Sequence, residues 1–243
     1  MNASRLTLSD FVLERQDTLL HLGTLDPSRR RAASHEGDCL SASLSAGSWR
    51  RIARLGGEPT LLLTRPGALY LNPLASPGVI ARATGEAVAD GLMMQIPLFK
   101  VWGESEDGRF FMFFESEEEA RREADLDDED PFEDPDGEGG GVIEITTGFV
   151  LTEEGRAVLG PRFSAEAAFA EDAAIMLAAI RLSETEPDLC GVFWNEADAP
   201  ERLSAPRFAI LPGRLPEFRV RGPERSAPFE DYVREGLSEE PAP

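Results

Sequence analysis

Residues 92–114, LMMQIPLFKVWGESEDGRFFMFF, hold two apolar runs divided by the polar stretch Glu104-Ser105-Glu106-Asp107-Gly108. Runs of this length and apolar content read as strands, and a short polar turn ending in glycine makes them a hairpin. A hairpin is antiparallel, so the expected class is α+β: a mixed, mainly antiparallel sheet with several packing helices. Both strands are apolar almost throughout, which predicts cover on both faces. Pro97 removes a ladder donor from the first strand, so an edge or a bulge is expected there.

Upstream, residues 7–15 (TLSDFVLER) fit a short helix capped by Ser9, followed by a strand at 18–22. Gly23, Asp26 and Pro27 then break regular structure. Residues 28–38 read as a polar surface loop carrying Arg29 to Arg31 and His35-Glu36. A second strand follows at 39–44, and Ser45 is placed to cap a helix over 46–55 that Gly56-Gly57 would end. Trp49, Ile52 and Ala53 share one face of that helix, and Arg50, Arg51 and Arg54 lie towards the other, as a solvated surface or a site for an anion. Strand-like runs at 60–64 and 68–71 flank Arg65-Pro66-Gly67. Ser76 is then placed to cap a helix whose first position is Pro77 and whose terminating glycine is Gly91, with Val79, Ile80, Ala83, Ala87 and Val88 as its buried stripe.

Downstream of the hairpin, Ser116 and Glu119 form a capping box for a helix over 117–125. Residues 125–140, DLDDEDPFEDPDGEGG, read as an acidic flexible loop or linker. Their acids and Gly137 miss the EF-hand spacing. A strand at 142–151 leads to a short helix that Thr152 caps and Gly160-Pro161 ends. The longest helix is expected over 165–182, apolar enough to be buried on several sides. Strands at 189–194, 207–211 and 217–221 complete the pattern. The expected organisation is an N-terminal half over 1–125, the linker at 126–140, a C-terminal half over 141–222 belonging to the same domain or a second one, and a tail over 223–243. Trp49, Trp102 and Trp194 read as core residues.

The net charge is −21, from 45 acidic and 24 basic residues, and Lys100 is the only lysine. So acidic a surface repels phosphate backbones, which argues against nucleic-acid binding and favours a basic protein partner. No apolar run reaches the roughly 20 residues of a membrane span. With no basic region and apolar stretch at the start, a cytoplasmic location is expected. Cys39 and Cys190 show no CxxC or Cys/His spacing, so they read as buried reduced thiols and no metal is expected.

Nucleotide loops, HExxH and GxSxG are all missing from the chain. His21-Leu22-Gly23-Thr24, at the end of a strand, resembles the H-G-T element of histidine-containing ADP-ribosyltransferases, with Leu22 inserted. Cys39 to Ser43, Ala68 to Leu74 and Ala89 to Met93 are similar to later segments of that family. This resemblance implies NAD as cofactor, His21 at its ribose, and Gly23, Thr24, Ser41 and Ser43 on the nicotinamide side. It further implies a catalytic acid, for which Glu115 and Glu144 are the candidates, stabilising charge as the nicotinamide bond breaks. Two functions are therefore expected to compete. One is an acidic binding protein of immunity, antitoxin or adaptor type, working without a cofactor. The other is an NAD-using transferase.

Overall fold

In the computed structural model, residues 5–16, 18–25, 36–53, 59–64, 67–105, 108–127, 143–164, 167–199 and 204–221 are described. The fold is α+β, as the hairpin implies, and is built on two sheets. Eight strands form the larger: β1 (Val12–Glu14), β2 (Thr18–His21), β3 (Leu40–Ser43), β4 (Thr60–Leu63), β5 (Leu69–Asn72), β9 (Leu189–Trp194), β10 (Arg207–Ile210) and β11 (Arg219–Arg221). Their spatial order is β1-β5-β9-β10-β3-β2-β4-β11, and only the β5–β9 pair is parallel. The smaller sheet runs β7-β6-β8, from β6 (Met93–Ser105), β7 (Gly108–Phe114) and β8 (Ile143–Leu151). Residues 126–140 do not divide the pairing, because β8 after them pairs with β6 before them, and β10 pairs with β3.

Side-chain alternation, broken once in β9 where the pairing with β5 shifts between Leu189 and Gly191, sorts the large sheet into two apolar faces. Tyr70, Cys190, Phe193, Phe208 and Ile210 share one face with Leu19, Leu40 and Leu62. There Phe208 stacks on Phe193 at 4.4 Å between ring centres and meets the edge of Tyr70 at 4.8 Å. Leu71, Val192, Trp194 and Ala209 face the other way. Against them lie α2 (Val79–Ala89) and α5 (Ala170–Ser183), whose alanines allow close approach. Burying one Phe or Leu on such a face contributes roughly 2–3 kcal/mol.

Three helix caps stand where expected. Ser45 Oγ accepts from the N–H of Ser48 at the start of α1 (Ala46–Ala53). Ser116 Oγ accepts from Glu119 ahead of α3 (Glu117–Asp127). Thr152 Oγ accepts from Gly155 ahead of α4 (Glu153–Leu159).

Several expectations are corrected. Residues 7–15 are not a helix: a single 3-10 turn at Leu8–Asp10 gives way to β1. Asp10 Oδ2 takes the N–H of Thr7 at 2.8 Å and closes one turn, after which pairing with β5 outweighs helix propensity. Ser76 does not cap α2, which starts at Val79 behind Gly78 at φ 72. Its hydroxyl instead donates to Asn72 O and accepts from Val12 N, joining β1 to the turn after β5. The long helix begins at Ala170, after a 3-10 turn over Ala167–Phe169. Nor are both faces of the hairpin covered, since Met94 is 50% and Phe113 38% exposed. Pro97, as expected, stands on a locally unpaired edge, without a bulge: β6 keeps register with β8 through Pro97–Thr147, but among the described residues no strand pairs with its other side here. It lies beyond the last β7 pair, Phe99–Phe114, where a missing donor leaves no β7 carbonyl unpaired.

Candidate functional site

His21 is one of the chain's two histidines. It ends β2, is 7% exposed, and places Nδ1 2.7 Å from Ser41 O and Nε2 3.3 Å from Thr24 O. A neutral imidazole donates to only one of these carbonyls, whereas the protonated ring donates to both. Gly23, at φ 111, makes the reversal that returns the chain to place Thr24 beneath the ring. His21, Gly23, Thr24 and Ser41 are therefore gathered into one corner.

The hydroxyls beside them are committed within the protein. Ser41 Oγ donates to Glu36, and Ser43 Oγ donates to Pro206 O at 2.9 Å while accepting from Ser45 N. Glu115 and Glu144 belong to the other sheet. Glu115 follows β7 and is exposed. Glu144 lies on β8, more than half exposed, 4.0 Å from Lys100 Nζ. The acid that the fold does bring to Ser41 is Glu36.

Glu36 read as exposed loop, and the structure corrects that: it is 2% exposed and carries the strongest charge cluster among the described residues. Its carboxylate accepts from Arg207 Nη1 at 2.8 Å. Arg207 opens β10, opposite Ser43 on one side and Trp194 on the other. Its Nε donates to Glu196 at 2.8 Å, its Nη2 stands 3.5 Å from Asp172 in the first turn of α5, and its guanidinium lies 5.1 Å over the Trp194 ring. Burial works against the charged guanidinium, but Glu36, then Asp172 and Glu196, outweigh it and raise Arg207 above its ordinary value. One cation thus ties the 36–39 turn, α5, the end of β9 and the centre of the sheet together. No local signal marked this cluster; the one clue was a charged residue opening the otherwise apolar run Arg207-Phe208-Ala209-Ile210.

Other candidates resolve simply. Cys39 and Cys190 are buried thiols. Trp194 is core, whereas Trp49 and Trp102 are half-buried, with Lys100 Nζ 3.9 Å over the Trp102 ring. His35, Arg29 to Arg31, Arg54, residues 128–140 and the tail lie outside the described residues. Among those described, no group of three or more His, Cys, Asp or Glu is arranged to hold a metal. No described helix is long and apolar enough to cross a membrane. Compared with protein-family models, curated proteins and solved structures, the chain matches none.

Proposed function

We propose that this protein acts by binding a basic protein partner, in an immunity, antitoxin or adaptor role, without chemistry of its own. The observation that carries this reading is the concentration of charge. Fifteen of the 45 acidic residues fall within 115–144, against two arginines. The described part of that stretch is displayed outward: Glu115, Glu117, Glu118, Glu119 and Glu144 are all exposed. Carboxylates at this density attract and orient a basic partner, with an on-rate that salt suppresses. The engagement of His21, Ser41 and Ser43 in bonds within the fold supports the same reading. The test is capture of basic proteins at low and high salt by the native chain and by one with the acids of 125–138 neutralised. Salt-sensitive capture that the neutralised chain loses is expected; equal capture at low salt would refute the role of this stretch.

A second reading is an NAD-using transferase, supported by the nearness of His21, Thr24 and Ser41. In it His21 would contact the ribose, and Glu36 would replace Glu115 and Glu144 as the nearest acid. It requires millimolar NAD to raise the thermal midpoint and His21→Ala to remove that rise.

A further inference from the structure

The outer strands of the two sheets differ. On the large sheet β1 and β11 are three residues each, too short to template another chain. On the small sheet β8 runs nine residues in unbroken register with β6, and no described strand pairs with its other side. Its second half is buried from Gly148 to Leu151, apart from half-buried Phe149, while Glu144, Ile145, Thr146 and Thr147 are exposed. Ile145, at 72%, is the most exposed large apolar residue among those described. It borders a wide, shallow depression of about 500 Å³ lined by Gln95, Ile96, Pro97, Ile145, Thr146 and Thr147. The devices that protect edges, an outward lysine, a proline or a bulge, are missing from these β8 positions.

We infer that the exposed run Glu144–Thr147 of β8 takes an extended, basic segment of the partner as a further strand. This rests on the basic-partner reading and gives it a location. Alternation fixes the chemistry of the segment. Ile145 and Thr147 share one face with Pro97, and Glu144 and Thr146 share the other with Lys100. A strand laid alongside would set apolar side chains against Ile145 and basic ones on the Glu144 face. Lys100 meets Glu144 only at 4.0 Å, leaving that carboxylate able to accept a closer cation. Charge chooses a basic segment over a second copy of this acidic chain, since the 115–144 region would repel its own image.

The test uses two labelled peptides of equal charge: one alternating valine and lysine, the other with two valines changed to proline so that it cannot pair as a strand. Binding to the full chain is followed by anisotropy at low salt, and amide exchange maps the site. The alternating peptide is expected to bind at least about tenfold more tightly and to slow exchange at 144–147. Ile145→Glu is expected to remove that preference. It adds an acid, so attraction by charge alone would leave binding equal or stronger. Equal binding of both peptides, or protection elsewhere, overturns this location while the basic-partner reading stands. If neither peptide binds, both readings fall. Self-association that Ile145→Glu abolishes would assign the edge to a second copy and also overturn the inference.

Discussion

The two sheets handle polar groups in opposite ways. At the centre of the large sheet, Glu36, Arg207, Glu196, Asp172 and Ser41 form a dense network that resembles a reaction centre, yet their bonds are satisfied by one another. Among the described residues the small sheet has no comparable network, but it exposes an apolar side chain, a strand with no described partner on one side, and acids in one place. Mutual satisfaction of buried groups indicates a structural strut, because an unpaired partner would cost several kcal/mol. Exposed and unsatisfied groups indicate recognition, since their free energy is still available to a partner.

The contrast predicts where substitutions hurt. Arg207→Met strands Glu36 in the core and should cost about 3–5 kcal/mol in urea unfolding, with Glu36→Gln in the same chain recovering part of it. A loss below about 1 kcal/mol would break the strut interpretation. Gly191→Ala, in the same sheet, would bring a Cβ to 2.0 Å from Ala209 O, so the backbone must move; about 3 kcal/mol is expected from the same measurement. His21→Ala should cost about 1–2 kcal/mol through the lost bonds to Ser41 and Thr24, and the native midpoint should not move with NAD. A rise with NAD would turn this corner into a site and support the transferase instead. Ile145→Glu, by contrast, should change stability by less than about 0.5 kcal/mol while abolishing the peptide preference. If it unfolded the protein, β8 would belong with the struts.

The smallest effect concerns pH. The Thr7 N–H, and after it Arg82, hold the Asp10 carboxyl below its ordinary value of 3.8. A carboxyl lowered on folding stabilises above its unfolded value, and that contribution is lost as the pH falls through the folded one. Asp10→Asn should therefore lower the thermal midpoint slightly at neutral pH, with the difference from the native chain fading as the pH falls through the folded-state value. A difference that persisted at lower pH would show that Asp10 acts through packing.

Local chemistry made much of this fold legible. The hairpin at 92–114, the strands β2 to β5 and β8 to β11, and the Ser45, Ser116 and Thr152 caps all follow from alternation, branched residues and hydroxyls at helix starts, which act within a few residues. The failures share another cause. Residues 7–15 carry a helical pattern, but β5 offered Val12, Leu13 and Glu14 a ladder. Ser76 looks like a cap, but Asn72 and Val12 engaged its hydroxyl. The candidate site divides in the same way. His21, Gly23, Thr24 and Ser41 could be named because rare residues stand out, and two short strands bring them together. Glu36 and Arg207 could not, because 171 positions separate them and only the β3–β10 pairing makes them neighbours. By itself, then, the sequence determined the class of the fold, the kind of most elements and the acidity of 115–144. Strand order, and with it which acids are buried against a cation and which face solvent beside an open strand, was decided by tertiary structure. Long-range pairing depends on which apolar faces can be covered together, and no local window contains that information.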